Sequence, residues 1–138
     1  MAERRQGGCP CGAVRFEVTG PPKWTALCHC ESCRRYCSAP VVAWMGYTPQ
    51  TVRWTGSRTL RESSPIATRG FCAQCGTQLS FESTRWPGEL HLYAVSLDDP
   101  SDYTPELHCH HAERLSWLHL ADALPRFEGS AETKAPQS

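Results

Sequence analysis

The sequence predicts a small, mainly β protein that is pinned by metal ions, and three observations support this prediction. Short runs of alternating apolar and polar residues are separated by glycine and proline, which is typical of antiparallel strands. Of the 9 cysteines, most fall into three tight clusters, as metal ligands do. A chain of 138 residues forms one domain with a modest core, so additional cross-links are expected to stabilise it.

The strand predictions follow the alternation along the chain. Residues 13–18 alternate apolar and charged side chains and predict a half-buried strand, which ends at Gly20-Pro21-Pro22. Further strands are predicted over residues 24–27, 40–45, 78–81 and 89–97. The segments 51–54 and 58–61 flank Gly56 and predict a β-hairpin.

Little helix is expected. One helical turn is predicted over residues 30–36, residues 105–111 read as extended or irregular, and residues 115–124 fit either a helical turn or a strand. Residues 1–6 are polar and are expected to be flexible, as is the small, polar segment 129–138. The single zinc-binding domain is therefore expected to cover residues 7–128.

Charge and hydropathy exclude several classes of function. The formal net charge is +0, with no basic stripe for nucleic acid and no polybasic membrane anchor. The apolar runs are too short to span a bilayer. Residues 1–6 lack the apolar stretch of a secretory signal, so a cytoplasmic location is expected. Disulfides rarely persist there, and clustered thiols therefore indicate metal ligation. The oligomeric state is left open.

The segment Cys28-His29-Cys30-Glu31-Ser32-Cys33 places three thiols within six residues. A straight strand cannot wrap three donors around one ion, so the backbone must turn here. Thiolates at this density suit zinc, which binds sulfur at about 2.3 Å in a tetrahedron. Three protein ligands leave one position for substrate, as in a catalytic zinc site. The alternative is a structural site that a distant fourth residue closes.

The remaining clustered cysteines divide naturally into one closed site. Cys9 and Cys11 can join Cys72 and Cys75 in a four-thiolate structural zinc site, which closes a loop of about 60 residues. The run Cys72-Ala73-Gln74-Cys75-Gly76 is a zinc-knuckle pattern. Two zinc ions per chain are therefore predicted, one structural and one catalytic.

Several residues near these clusters have open roles. Arg34 and Arg35 can balance negative charge or hold a substrate carboxylate, or they are ordinary surface arginines. Cys37 is a candidate fourth ligand, an oxidisable neighbour or a buried apolar residue. The run His108-Cys109-His110-His111 can supply a ligand or a general base, or it is a solvated loop. His29 is expected to point away from the metal, and His91 and His119 are expected to be structural.

These motifs resemble the glutathione-dependent formaldehyde-activating enzyme (GFA) family, which also includes centromere protein V. The matching stretches are Gly8-Cys9-Pro10-Cys11-Gly12 with Val14-Arg15-Phe16, Cys28-His29-Cys30 through Cys33-Arg34-Arg35, Ala39-Pro40, Gly70-Phe71-Cys72 through Cys75-Gly76-Thr77, Ser96-Leu97-Asp98, His108, Trp117, and Leu124-Pro125-Arg126-Phe127. The order and spacing of the clustered cysteines make this match specific.

The resemblance implies a zinc-bearing β fold related to the Rab-associated guanine-nucleotide-release chaperone, with the two zinc sites divided as above. It implies a carbon–sulfur lyase chemistry in which glutathione adds to formaldehyde and gives S-hydroxymethylglutathione. Glutathione is then a co-substrate, and the partners are a small-molecule thiol and an aldehyde. The resemblance also favours His108, or a water molecule, for handling the proton. Arg34 and Arg35 are the nearest candidates for binding the carboxylates of glutathione.

Two other functions remain as alternatives. One is a zinc-stabilised binding module without catalysis, as in the related chaperone. The other is a thiol-based detoxification or metal-buffering protein that uses Cys37 together with the three-cysteine site.

Overall fold

The computed structural model describes residues 3–130, and these residues confirm a mainly β fold with one α-helix. The ten strands are β1 (Arg4–Gly8), β2 (Arg15–Thr19), β3 (Trp24–Cys28), β4 (Val42–Tyr47), β5 (Val52–Thr55), β6 (Thr59–Ser64), β7 (Ala67–Phe71), β8 (Gln78–Ser83), β9 (Leu90–Tyr93) and β10 (His108–Cys109). The helix α1 spans Glu31–Cys37, and 3₁₀ turns cover Pro49–Thr51, Ala94–Ser96 and His111–Glu113. Within residues 3–130, no helix is long and apolar enough to cross a bilayer.

The described chain forms two compact units. Unit 1 contains residues 3–24 and 45–103, and unit 2 contains residues 25–44 and 104–130. Unit 1 holds one antiparallel sheet in the order β1-β2-β5 and a second antiparallel series in the order β6-β7-β8-β9. In unit 2, β10 pairs with β3 in parallel.

The core of unit 1 is built partly from cysteines. Cys9 and Cys72 are buried in one cluster with Val14 and Leu79, and Trp54 packs against it. Leu79 is fully buried and Val14 is almost so. Because the apolar cluster includes two cysteines, a metal ion bound by them would stabilise the same part of the fold as hydrophobic burial does.

The expectation that residues 1–6 are flexible is wrong for residues 4–6. They lie in β1, which pairs with β2 from Arg4↔Thr19 to Gly8↔Arg15. Polar side chains stabilise this edge strand, since Arg5 donates to the carboxylate of Asp102 at 2.8 Å and Gln6 donates to Glu17 at 3.2 Å. The segment needs no apolar alternation because backbone pairing with the next strand and polar side-chain contacts stabilise it.

The predicted hairpin between residues 51–54 and 58–61 is also wrong, although both segments are strands. β5 pairs with β2, and β6 pairs with β7. The apolar face of β5 explains its partner, because the Trp54 ring packs edge-on against Phe16 with centroids 5.6 Å apart. Gly56 turns the chain between the two sheets in a left-handed conformation, with φ +79°.

The other element predictions agree with the structure to within a few residues, with three exceptions. The strand predicted over residues 89–97 ends at Tyr93, where the 3₁₀ turn Ala94–Ser96 begins. Residues 115–124 form neither helix nor strand, and residues 105–111 contain the short strand β10. Of the predicted flexible segment 129–138, residues 131–138 lie outside the described residues.

Gly46 provides a test of packing in unit 1. A Cβ atom at this position would collide with the indole ring of Trp24, so we expect Gly46→Ala to lower the free energy of unfolding by about 1–3 kcal/mol. Gly129→Ala is the matched control, because a Cβ atom added there would meet no other atom within 4 Å. Urea denaturation of the zinc-loaded variants would measure both effects, and equal unfolding midpoints would contradict the predicted collision.

The buried imidazole of His91 should make the stability of the fold depend on pH. Its ring is buried beside Trp24, and Nε2 donates a hydrogen bond at 2.9 Å to the carboxylate of Glu89. Burial lowers the pKa of His91 below its usual 6.5, despite the opposing effect of Glu89. The unfolded chain therefore binds a proton more readily, and stability contributed by the neutral ring is lost as the pH falls below 6.5.

The pKa of His91 can be read directly from its ring resonances in an NMR titration of the folded protein. We expect a value below 6.5 and, for His91→Gln, a shallower loss of stability between pH 7 and pH 5. A folded-state pKa above 6.5 would reverse the sign and contradict the prediction.

Candidate metal centres

The first candidate metal centre lies where two hairpin turns of unit 1 meet. One turn joins β1 to β2 and carries Cys9 and Cys11, and the other joins β7 to β8 and carries Cys72 and Cys75. The four sulfur atoms all lie within 4.8 Å of one another. The predicted grouping of these cysteines is therefore realised in space.

The two turns share one backbone design. In each, the amide of the first cysteine donates across the turn: Cys9 to the carbonyl of Val14 at 3.1 Å, and Cys72 to that of Thr77 at 3.0 Å. A glycine then closes each turn by donating to the carbonyl of the first cysteine. Gly12 and Gly76 do so with φ near +80°, a conformation that glycine adopts without strain.

Sulfur is the donor type that zinc prefers, and the surroundings of these four sulfurs fit a metal ion. Cys9 and Cys72 are buried, whereas Cys11 and Cys75 are exposed, so the site is anchored on one side and accessible on the other. The hydroxyl and the backbone amide of Thr77 lower the pKa of Cys75 to about 6. Thiolates are the metal-binding form, and the four cysteines can therefore hold a metal ion such as zinc.

The second candidate centre lies in unit 2, where β3 passes into α1. Cys28 is the last residue of β3, Cys30 caps the helix and Cys33 lies in its first turn. Their three sulfurs also lie within 4.8 Å of one another, and Cys28 and Cys33 are buried. The turn that the sequence requires is thus the strand-to-helix junction itself.

The helix cap fixes the position of the Cys30 sulfur. The Cys33 amide donates to it at 3.2 Å, as an amide donates to an N-cap side chain. Hydrogen bonds from the thiols of Cys28 and Cys33 lower the pKa of Cys30 far below its usual range. The pKa of Cys28 is raised instead, chiefly through its hydrogen bond with Cys109. Negative charge therefore concentrates on Cys30, and these residues fit a dication that would neutralise it.

Two cysteines outside the predicted clusters have different positions. Cys37 is the last residue of α1 and lies outside the group formed by Cys28, Cys30 and Cys33. Cys109 lies in β10, directly opposite Cys28 in the parallel pair. The sequence pattern did not indicate the pairing of Cys109 with Cys28, because 81 positions separate them along the chain.

His108 is fully buried, and both of its ring nitrogens are engaged. Nδ1 lies 2.8 Å from Nε2 of His29, and Nε2 lies 3.0 Å from a carboxylate oxygen of Asp122. His108 lies opposite Leu27 in the β10–β3 ladder, one position from the Cys109–Cys28 pair. Successive residues of a strand point to opposite faces, so the imidazoles lie on the face away from the thiols. The expectation that His29 points away from the metal follows the same geometry.

The hydrogen bonds among Asp122, His108 and His29 determine which ring nitrogens carry a proton. Although desolvation opposes them, hydrogen bonds from His108, Leu124 and Arg126 lower the pKa of Asp122 to about 2, so its carboxylate only accepts. His108 therefore donates from its Nε2. In the neutral form of His108, its Nδ1 accepts a hydrogen bond from Nε2 of His29. Burial lowers the pKa of His29 to about 4, and its Nδ1 is a buried atom without a hydrogen-bond partner in the described structure.

Arg34 and Arg35 line one groove but differ in availability. Arg34 donates to the backbone carbonyls of His29 at 3.0 Å and Glu113 at 3.2 Å, which ties the helix to the segment after β10. Arg35 is bound to the Glu31 carboxylate at 2.9 Å, yet its side chain is 77% exposed. The groove has a volume of about 380 Å³, and the exposed ring of Trp117 forms part of its lining.

Sequence reasoning missed Asp122 and underestimated His29. Asp122 lies among the irregular residues 115–124, where no periodicity marks a partner for a buried imidazole. Its only local signal is the neighbouring Leu124-Pro125-Arg126-Phe127 stretch, which carries part of the family resemblance. His119 is exposed on the same segment, so burial gives no support to its predicted structural role.

Comparisons with known proteins identify the family to which this chain is similar. Residues 4–113 match the model of the family described as glutathione-dependent formaldehyde-activating enzyme. A putative glutathione-dependent formaldehyde-activating enzyme of Halomonas elongata is 27% identical over 125 residues, which cover 83% of this chain and 80% of that protein.

Two further similarities concern a lyase and a solved structure. An uncharacterized lyase of Schizosaccharomyces pombe is 34% identical over 79 residues, and the match covers 57% of this chain but only 58% of the yeast protein. A crystal structure of a Rhodobacter sphaeroides protein superposes with a TM-score of 0.56 at 24% identity, over 67% of this chain and 87% of that one. The last similarity concerns the fold alone.

Asp122→Asn tests the chain of hydrogen bonds through His108. An amide cannot accept from His108, Leu124 and Arg126 as a carboxylate does, so we expect a loss of about 1–3 kcal/mol in the free energy of unfolding. We also expect the nitrogen-15 NMR signals of His108 to report a change in the protonated ring nitrogen. Glu62→Gln, on exposed strand β6, is the control. Unchanged His108 signals would contradict the assigned proton order.

Proposed function

The chain belongs to the glutathione-dependent formaldehyde-activating enzyme family, and from this we propose that it is a zinc-dependent carbon–sulfur lyase. Its substrate would be a thiol–aldehyde adduct, with glutathione and formaldehyde giving S-hydroxymethylglutathione as the first candidate pair. Relatives named as a lyase and as a putative formaldehyde-activating enzyme support an enzymatic role of this class.

The observation that carries the proposal is the grouping of Cys28, Cys30 and Cys33 at the strand-to-helix junction. Three thiolates satisfy three of the four positions that zinc prefers. The fourth position is then left for a substrate. The other centre offers four thiolates, which fill all four positions. We therefore assign the catalytic role to the three-thiol centre and the structural role to Cys9, Cys11, Cys72 and Cys75.

The proposed reaction balances without any redox partner. The thiol sulfur of glutathione forms a bond to the carbonyl carbon of formaldehyde, the C=O π bond breaks, and the thiol proton ends on the new hydroxyl oxygen. A zinc ion bound at the three-thiol centre would supply Lewis acidity and favour the thiolate form of the substrate.

The side chains around α1 would bind and orient the tripeptide. Arg35 is the exposed guanidinium of the groove and is suited to one of the carboxylates of glutathione, whereas Arg34 holds the groove wall through its backbone contacts. The apolar ring of Trp117 offers a surface for the peptide.

We assign His108 a positioning role. Its contacts with His29 and Asp122 occupy both ring nitrogens, so it holds the His29 ring, which lies between two ligand cysteines in the chain. A water molecule would then carry the thiol proton. Clustered cysteines that serve as metal ligands need a reducing compartment, and we propose that the enzyme works in the cytoplasm.

Zinc loading followed by addition of glutathione tests the assignment of the two centres. We expect a fully loaded chain to bind two zinc ions. X-ray absorption at the zinc edge should show that glutathione adds a sulfur ligand or replaces one at a single centre, and that S-methylglutathione, which has no thiol, leaves the spectrum unchanged. Two zinc centres that ignore glutathione would contradict glutathione as the substrate and favour a binding module.

Paired cysteine substitutions separate structure from catalysis. We expect Cys72→Ser to release one zinc and unfold the chain or much of unit 1, because it opens a four-thiolate centre within the core. Cys30→Ser should abolish formation of S-hydroxymethylglutathione while circular dichroism stays near that of the parent. Equal destabilisation by both substitutions would contradict the division of roles.

A further inference from the structure

Cys109 lies beside the three-thiol centre although it belongs to a distant part of the chain. Its Cα is the register partner of Cys28 in the parallel β10–β3 pair. Backbone hydrogen bonds fix this register on both sides, from the Leu27 amide to the Leu107 carbonyl at 2.9 Å and from the His29 amide to the Cys109 carbonyl at 3.1 Å. Opposed residues in a ladder share a face, so both thiols project in the same direction.

The Cys109 and Cys28 side chains are neighbours across the ladder and are close enough to influence each other electrostatically. The Cys28 sulfur lies in turn 3.6 Å from that of Cys33. However, Cys109 is outside the group whose sulfurs all lie within 4.8 Å of one another. Cys109 therefore adjoins the centre without belonging to its compact part.

The backbone supports of these thiols differ. Cys30 and Cys33 are held by the cap and first turn of α1, and Cys28 by the end of β3. Cys109 ends a strand of two residues and is only partly buried. The next residue, His110, has a left-handed backbone with φ 52°. Rotation about the Cα–Cβ bond moves a cysteine sulfur without moving the backbone, so the Cys109 sulfur can change position while the β10–β3 register is kept.

We propose that Cys109 is an exchangeable fourth ligand of the metal centre formed by Cys28, Cys30 and Cys33, and that an incoming substrate thiol displaces it. The displacement rests on the proposed lyase function, whereas binding of Cys109 in the resting protein does not. In a metal-loaded chain, the exchange would replace one metal–sulfur bond with another. The proton of the incoming thiol passes to the departing Cys109 sulfur, so the charge of the centre is unchanged and no oxidant is needed.

This arrangement protects the centre between turnovers. A centre with four thiolates holds zinc more tightly than one with three, and its sulfurs are less open to oxidation. Only a ligand that is itself a thiol would exchange readily with Cys109, because a neutral water is a poor replacement for a thiolate. Cys109 would therefore also favour thiols over other small molecules at this position.

Zinc-edge absorption of the fully loaded, full-length chain tests the resting state. With two zinc ions bound and no added thiol, we expect about four sulfur atoms per zinc in the parent and about 3.5 in Cys109→Ser, with an oxygen or nitrogen completing the shell. Cys37→Ala, which changes the other cysteine outside the clusters, should keep the parent value. About 3.5 sulfur atoms per zinc in the parent would overturn the proposal.

Chelator competition gives a second readout that is independent of activity. Cys109→Ser should weaken zinc binding at one centre by about tenfold or more, which corresponds to about 1.4 kcal/mol. Circular dichroism would establish that the variant is folded, and Cys109→Ala would serve if the hydroxyl itself binds the metal. Equal zinc affinity in the folded variants and in Cys37→Ala would also overturn the assignment of Cys109 as a ligand.

Alkylation tests the exchange step. We expect iodoacetamide to spare Cys109 in the zinc-loaded parent and to modify it after glutathione is added, as read by peptide mass spectrometry, whereas S-methylglutathione should give no modification. Modification of Cys109 to the same extent without glutathione would overturn the proposal. Protection of Cys109 both with and without glutathione would leave Cys109 as a resting ligand but would contradict displacement and the proposed use of glutathione.

Discussion

The convergence of two hairpin turns on one set of four thiols is the constraint on which unit 1 depends. Each turn must present a buried and an exposed sulfur, and each uses a left-handed glycine to do so. The buried side chains of Cys9 and Cys72 pack with Val14 and Leu79, so a bound metal ion would cross-link residues of the core itself. A domain of this size buries little apolar surface, which makes such a cross-link valuable.

The second centre uses a different principle, since one continuous segment supplies three thiols. The end of a strand, a helix cap and the first helical turn supply them from six consecutive residues. Such a centre forms locally, but its surroundings do not. The strand β10 adds Cys109 to one face of β3 and His108 to the other, so two residues in sequence contribute to two different environments.

This alternation separates sulfur chemistry from imidazole chemistry. On one face, thiols offer soft, negatively charged ligands to a metal ion. On the other face, the carboxylate of Asp122 orients the buried His108, and His108 orients His29. Since the peptide of His29 joins Cys28 to Cys30, a fixed imidazole chain limits the movement of the backbone that carries the ligands. In the proposed function, the imidazoles would therefore act on the centre through the backbone.

Local patterns in the amino-acid sequence suffice to predict the mainly β class, most strands and the division of seven cysteines into four and three. These features have local causes: alternation with a period of two, left-handed glycines and ligand spacing. The folded chain was needed to reveal the pairing of β1 and β5 with β2, the position of Cys109 beside Cys28 and the contact of Asp122 with the buried His108. These features depend on contacts and register between separate segments, which no local pattern encodes.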